Sequence, residues 1–380
     1  MPGGPFAPET LHWRPVGVDL LRSFQREETH TNKYRVEVRR DAPDPEWYTF
    51  LETVPDAHYQ QSSMWAQVKA EAGWKAERLI VYRNGEVVGG CQLLIRRLPV
   101  GGAIAYGPRG PVTADRDERA LDTMIGALKH LARQERVLLL KVQPPSDRQD
   151  MRTALECQGF VEGGLAIAPT ATVRIDLQRS PEELLGAMRT NAQRNIRKAG
   201  RLGVVVREGG AADLPTFEKL AGDTGRRQGI PIFSLSYYER IWQSFAPQDR
   251  ARLFIAEHEG EALASVFIIG FAGTAIYKYG GWSALKKNVP PNELLQWTAM
   301  NWARERGYRY YDFGDIWPQM AQAALSGDLS EIYGVTRFKM NFGGEVVLFP
   351  GAYDYGLLRR LTPLLERFDP IVNRIIGRSV

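Results

Sequence analysis

From Lys33 to Arg39 apolar and polar positions alternate, with Tyr34, Val36 and Val38 on one face, and that period of two predicts a strand. Pro45 to Val54 and Ser62 to Ala72 have helical spacing instead. Arg78 to Tyr82 and Glu86 to Arg96 flank Asn84-Gly85, a pair that accepts the positive φ angles of a tight hairpin turn. A glycine-rich strand and loop from Gly101 to Pro111, a helix from Arg116 to Gln134 and a buried strand from Val137 to Val142 follow. The same order then returns. Ala251 to Ala256 and Ala262 to Phe271 form a hairpin around Glu259-Gly260-Glu261, Thr274 to Gly281 a strand, Asn292 to Arg306 a helix, and Tyr308 to Phe313 a strand. Gly85 and Gly260 are 175 positions apart, Tyr106 and Tyr279 are 173 apart, and Ala132-Arg133 and Ala303-Arg304 are 171 apart. Three matches in register predict a tandem duplication of one mixed α/β unit.

Other segments connect or flank the copies. Met1 to Thr31 has no clear period and reads as a loose extension. Thr172 to Leu177 is a strand. Ser180-Pro181-Glu182-Glu183 starts a helix with a capping box, and its apolar spacing runs on to about Leu202, before Gly203. Pro215 to Gln228 and Tyr237 to Phe245 are helices, Trp317 to Glu331 a loop, and Tyr333 to Phe342 a short segment. Gly343-Gly344 turns the chain into a strand from Glu345 to Phe349. Leu357 to Ile376 is amphipathic, with arginines opposite the apolar stripe and breaks at Pro363 and Pro370. It either packs on the first domain or lies on an anionic membrane.

Composition narrows the class. With 44% hydrophobic and 24% charged residues in 380 positions, the chain is an ordinary globular protein of two or three domains. A net charge of +5 permits an anionic partner without requiring one. Only 11 of the 49 basic residues are lysines, so each lysine raises the question of what a point charge does there that a guanidinium cannot. Cys91 and Cys157 lie among apolar residues, without metal spacing, and read as two buried, reduced thiols. The five histidines are scattered on predicted surface, and no Ser-His-Asp or Cys-His grouping stands out, so neither a metal nor a covalent acyl-enzyme is expected. The N-terminus lacks a signal-peptide pattern, and the longest apolar run, Ala262 to Gly273, is about half the length needed to span a bilayer. A soluble, cytosolic protein is expected.

Several segments, taken in order, resemble one family. They are Gln61 to Lys69, Tyr106-Gly-Pro-Arg-Gly-Pro111, Thr190 to Ala199, Tyr277-Lys-Tyr-Gly-Gly281, Tyr311-Asp-Phe-Gly314 and Gly334-Val-Thr-Arg-Phe-Lys-Met-Asn-Phe-Gly-Gly344. Together they resemble the FemABX aminoacyltransferases of the FemX and MurM type, which build peptidoglycan interpeptide bridges. The resemblance implies an α/β fold of two tandem GNAT-like domains, here without the long helical arm of some members. The first would span 34–165 and be completed by 350–380, and the second would span 166–349, after an N-terminal extension of 1–33. It also implies a cytoplasmic, monomeric acyltransferase in cell-wall biogenesis and cell shape. The donor would be aminoacyl-tRNA, and the acceptor a precursor amine on a UDP-MurNAc-peptide or on lipid II, with peripheral contact to the inner membrane surface. No cofactor is implied.

Carried onto this chain, the resemblance makes Lys339 the group that stabilises the oxyanion or the charge at the tRNA end, with Phe338 packing on a sugar or the terminal adenosine. Lys69, Tyr237, Tyr279 and Arg109 would contact the acceptor. Phe233 stands where related proteins have a basic residue, which moves that anion contact to Arg226 or Arg227. Arg189, Arg194, Arg197, Lys198 and Arg201, on one predicted helix, form a face suited to a tRNA backbone or simply a solvated one. Asp312 and Asp315 could take a proton or cap the strand end. One rival is an acyl-CoA-dependent N-acetyltransferase. Its pyrophosphate loop would have to be Arg197 to Leu202, which lies inside a predicted helix and ends in a bulky residue. The other rival is a non-catalytic tRNA- or membrane-binding protein.

Overall fold

The computed structural model describes residues 34–360 except 41, 100, 115, 147, 164, 165, 230 and 231. The N-terminal extension and the amphipathic stretch beyond Arg360 lie outside the described residues.

The first half runs β1 (Tyr34–Arg39), α1 (Pro45–Thr53), α2 (Ser63–Ala70), β2 (Lys75–Arg83), β3 (Glu86–Arg97), β4 (Ala103–Pro108), β5 (Val112–Thr113), α3 (Glu118–Gln134), β6 (Val137–Gln143), α4 (Gln149–Cys157) and β7 (Val161–Gly163). The second runs β8 (Ala171–Asp176), α5 (Pro181–Ala187), α6 (Thr190–Arg201), β9 (Val205–Gly209), α7 (Leu214–Gln228), α8 (Leu235–Phe245), β10 (Ala251–His258), β11 (Glu261–Phe271), β12 (Thr274–Trp282), α9 (Pro291–Glu305), β13 (Tyr310–Asp315), α10 (Pro318–Leu325), α11 (Gly334–Met340) and β14 (Glu345–Leu348). β15 (Ala352–Tyr355) then returns to the first sheet, between β6 and β7.

Each half is a mixed sheet. The orders are β1-β2-β3-β4-β6-β15-β7, with β5 on β3, and β14-β8-β13-β12-β11-β10-β9. Corresponding hairpins use left-handed turn residues, Asn84 and Gly85 in one and Glu259 and Gly260 in the other. Asp117 caps α3 by accepting from the Ala120 N–H, and the helix buries Leu121, Met124, Ile125, Leu128 and Leu131 at steps of three and four.

Strand alternation sorts the core into three layers. One face of the first sheet packs on α3 and α4 through Leu79, Val81, Cys91 and Leu93. One face of the second packs on α5, α6 and α9 through Phe254, Val266, Ile268, Tyr311 and Phe313. The opposite faces meet in a shared apolar layer, where Trp47, Tyr59, Trp65 and Tyr106 of the first half join Phe217, Phe245, Leu253 and Phe267 of the second. A joint core of this kind makes the seam between the halves a well-defined place.

Four expectations change. The helix from Ser180 breaks at Met188 and Arg189, both extended, so Arg189 is the N-cap of α6 and not part of the basic helix. The Arg189 N–H donates instead to the Asn341 carbonyl, and the Gly343 turn packs so closely on Ala187 that a Cβ there would lie 2.3 Å from its carbonyl oxygen. The predicted loop from Trp317 holds α10, with Pro318 at its first position. Cys91 is buried, but Cys157 is exposed on the last turn of α4. His58, expected on the surface, is half-buried, and burial pushes its basicity well down, with Arg109 and Lys278 adding to the effect.

Candidate active site

The parallel pair β12–β13 supplies the frame. Its ladder joins Thr274 to Tyr310, Ala275 to Tyr311 and Ile276 to Asp312, and ends there. Past that point Gly314 adopts φ 70°, and a Cβ on it would lie 2.9 Å from the Tyr277 carbonyl oxygen. Asp312 ties this strand end down by accepting from Thr172 Oγ1 at 2.5 Å and from the Gly314 N–H at 2.7 Å. Arg174 Nε stands 3.6 Å from its other oxygen.

Helix α11 brings Lys339 to the end of the ladder. Lys339 Nζ donates to the Asp315 carbonyl oxygen at 2.5 Å and lies 5.7 Å from the centre of the Tyr277 ring. The residue is 7% exposed, and burial draws its ammonium down to about 8, against the pull of Asp315 and Asp312. Because its hydrogen-bond partner is a carbonyl oxygen, its positive charge is available to a developing oxyanion.

A second cluster lies on the seam face of β12. Ile268 pairs with Tyr277 and Phe267 with Tyr279, which leaves Lys278 as the extra residue of a β-bulge. The bulge breaks alternation, so Lys278 and Tyr279 both reach the seam. Lys278 Nζ lies 4.9 Å from the Tyr279 ring centre, 5.6 Å from that of Tyr59 and 5.8 Å from that of Trp65. Lys69, in the last turn of α2, lies 5.0 Å from the Trp65 ring centre and 5.9 Å from that of Tyr237. The Tyr237 and Tyr279 hydroxyls are 3.2 Å apart, and Phe233 stacks on Tyr237 at 4.5 Å. Burial and then Lys278 bring Lys69 down to about 8, and burial also lowers Lys278, with Tyr237 and Asp315 opposing. Burial raises both Tyr237 and Tyr279, so these hydroxyls remain protonated donors.

Comparisons with known proteins bear on this arrangement. Residues 42–162 match the FemAB family, and residues 186–329 match an acetyltransferase (GNAT) domain. The lipid II:glycine glycyltransferase of Staphylococcus aureus (strain USA300) is 26% identical over 400 aligned positions, covering 84% of this chain and 93% of that protein. The first half of the chain is thus similar to the FemAB family, and most of its length is similar to this glycyltransferase. The crystal structure of FemX shares its fold, with a TM-score of 0.76 at 24% identity, covering 87% of this chain and 100% of that one. A tandem GNAT protein from the clavulanic acid biosynthesis pathway has a TM-score of 0.51 at 14% identity, covering 86% of this chain and 99% of that one. The fold is two GNAT-like α/β units in tandem.

Within this fold the expected residues fall into separate groups. Lys69, Tyr237 and Tyr279 come together at the seam, and Lys339 stands at the end of the ladder. Phe338 is half-buried and packs edge-on to Phe342, which lies against Phe313, so it belongs to the edge of the second core. Arg109, 3% exposed and left-handed at φ 56°, donates to the Pro169 carbonyl oxygen at 2.8 Å and stacks 3.7 Å above Phe349. Burial lowers it to about 10. Arg226 pairs with Asp223, while Arg227 donates to the Trp282 carbonyl oxygen and stacks on the Trp282 ring, so neither has a contact with the lysine and tyrosine cluster. Arg194, Arg197 and Arg201 are exposed on α6, opposite buried Ala192, Ile196 and Ala199, with Lys198 half-buried. Arg189 is exposed at the N-cap, beside a cavity of about 530 Å³ also lined by Arg337 and Asn341. Arg197 to Arg201 is helix, which leaves no loop there for a pyrophosphate.

Lys278 was not among the expected site residues. Its signal was its place between two tyrosines in a chain poor in lysine, but simple alternation turns it away from Tyr279. Among the described residues no group of three or more His, Cys, Asp or Glu could hold a metal, and no helix is long and apolar enough to cross a membrane.

Proposed function

We propose that this chain transfers an aminoacyl group from aminoacyl-tRNA to the stem-peptide amine of a peptidoglycan precursor. The observation that carries the reading is the buried Lys339 ammonium at the end of the β12–β13 ladder, held by a carbonyl oxygen. It is supported by similarity to proteins named lipid II:glycine glycyltransferase. The acting unit is the pair of GNAT-like domains, 34–165 with the strand Ala352–Tyr355, and 166–349.

In this reaction the neutral acceptor amine attacks the ester carbonyl of the charged tRNA. A C–N bond forms, a tetrahedral oxyanion develops, and the C–O bond to the ribose breaks. The amine proton leaves through solvent and the ribose oxygen regains one. Lys339 stabilises the oxyanion, a contribution of about 3–4 kcal/mol where a single such donor has been removed. No enzyme nucleophile takes part. The exposed arginines of α6 attract the tRNA backbone, and the cleft of Lys69, Tyr237 and Tyr279 holds the acceptor.

The test is a transfer assay with pools of charged tRNA and with UDP-linked and lipid-linked muropeptides as separate acceptors, read by mass spectrometry. An aminoacyl mass added to either acceptor, and lost on ribonuclease treatment of the donor, supports the reading. Transfer from acetyl-CoA, with none from charged tRNA, would replace it with the acetyltransferase reading that the GNAT match favours.

A further inference from the structure

We propose that Asp312 is a positioning residue for the reacting lysine: it fixes the turn whose Asp315 carbonyl oxygen holds the Lys339 ammonium, and it faces that ammonium with a carboxylate. The proposal rests on the reading above for what Lys339 does, but its evidence is the geometry of the strand end.

First, a continuous set of contacts runs from the body of the second sheet to Lys339. Asp312 is buried in β13, at the point where the parallel ladder with β12 ends. One of its oxygens accepts from Thr172 Oγ1 and from the Gly314 N–H, and Thr172 Oγ1 also lies 2.8 Å from the Gly314 carbonyl oxygen. One residue on, the Asp315 carbonyl oxygen accepts from Lys339 Nζ. The pairing of β13 with β8 is irregular between Asp312 and Asp315, so the Asp312 side chain satisfies there a backbone group that a regular ladder would satisfy elsewhere. The turn tolerates no drift, because Gly314 is left-handed and already close to the Tyr277 carbonyl oxygen.

Second, the Asp312 carboxylate is itself held. Arg174, its register partner on β8, stands with Nε 3.6 Å from the other Asp312 oxygen and donates through Nη1 to Asp56 of the first half at 3.1 Å. The first sheet has a pair at the same place in its strand order, with the polarity reversed. There Lys141 is on β6 and Asp354 on β15, register partners 2.6 Å apart. In the closed copy the central strand thus carries the cation, and in the open copy it carries the anion. A cation at Asp312 would repel the Lys339 ammonium, whereas a carboxylate attracts it.

Third, the electrostatics agree with the contacts. Lys339 faces Asp315 and Asp312 of β13 and the Tyr277 ring of β12, and both carboxylates oppose the burial that lowers it. Asp312 faces Arg174 of β8 and acts on Arg109 and Tyr59 of the first half. Asp315 also acts on Lys278. Asp312→Asn keeps an oxygen for Thr172 and Gly314 and removes only the charge. Thr172→Val keeps the charge and removes one tether of the turn. The pair of variants therefore separates the two parts of the role.

The experiment follows Lys339 directly, by NMR of the full chain labelled at lysine Cε, with the Lys339 signal assigned by its loss in Lys339→Met. Alongside it, kcat and KM are measured across pH in the transfer assay. Melting curves first verify that each variant is folded. In Asp312→Asn the titration midpoint of Lys339 should fall by about one pH unit or more, because the ammonium loses a favourable charge. The high-pH limb of kcat should move down with it, while the acceptor KM stays near its wild-type value. Thr172→Val should lower kcat about tenfold at every pH and leave the Lys339 midpoint in place. An unmoved midpoint in folded Asp312→Asn overturns the proposal, as does a moved midpoint in a protein that transfers with an unmoved kcat profile. Should Asp312→Asn fail to fold, Thr172→Val decides, and a wild-type kcat there overturns the proposal as well. A moved midpoint in a protein that transfers no aminoacyl group leaves the hold of Asp312 on Lys339 standing and removes the functional reading instead.

Discussion

In the first half the parallel pair β4–β6 holds from Ala103 and Val137 to Pro108 and Gln143, and a bridge from Gly110 to Gln143 extends the closure. In the second half the corresponding pair, β12–β13, stops after Ile276 and Asp312. The closed copy is finished with neutral amides. Gln143 donates to the carbonyl oxygens of Ala168 and Pro350 and accepts from the N–H groups of Ile167 and Ala168. Gln61 does similar work between Pro108 and Gln92, and Gly110 passes so close that a Cβ on it would lie 2.7 Å from the Gln61 amide. At the open copy stand Lys278, Lys339, Asp312 and Asp315. The two copies therefore share an architecture, while the side chains at the strand end distinguish a closed scaffold from a candidate site.

That contrast can be broken by exchanging what each end is asked to do. The largest effect expected is on folding. Gln143→Leu takes their side-chain partner from four backbone groups, two bonds buried and two part-buried, and should lower stability by about 3 kcal/mol, seen as a lower denaturant midpoint, while transfer per folded molecule persists. An unchanged midpoint would mean the first closure is not held by its amides. Lys339→Met should do the reverse, cutting turnover about 10²-fold or more. It should leave the midpoint unchanged or higher, because a desolvated charge is removed. Turnover within threefold of wild type would take Lys339 out of the mechanism.

A pH series sharpens the same comparison. Lys339 is protonated below about 8 in the folded protein, so oxyanion stabilisation, and with it kcat, should fall as pH rises through that value. Its effect on stability has the opposite sign. Between about 8 and the ordinary lysine range the unfolded chain binds the proton and the folded chain does not, so this group makes the protein more stable as pH rises. A kcat that climbs steadily to pH 10 would contradict a protonated Lys339. The smallest effect concerns the surface. Charge reversal at exposed Arg194 and Arg197 should raise KM for aminoacyl-tRNA and flatten its salt dependence, with the acceptor KM nearly unchanged. Equal changes for both substrates would make α6 structural only.

Parts of the candidate site were legible from residue order. Lys339, Lys69, Tyr237 and Tyr279 sit in recognisable segments, and the two hairpins declare themselves through Asn84-Gly85 and Glu259-Gly260. The break before α6 was not, since the apolar spacing continues through Met188. The cause is a packing partner more than 150 positions away, the turn at Gly343. Arg189 left the basic helix for the same reason. Lys278 was hidden because a bulge changes which way a side chain points without changing the pattern of the strand that contains it.

What the sequence determined on its own was local and periodic. It set the alternation of β10 and β11, the apolar stripe of α3, the cap at Ser180 and the repeated order of elements, all of which depend on neighbours within a few residues. Tertiary structure alone decided where β12 and β13 part, which lysines share one ring, and that Lys339 meets a carbonyl oxygen instead of a carboxylate. These features arise where residues from distant segments compete for the same buried volume, and packing and desolvation, rather than residue order, settle that competition.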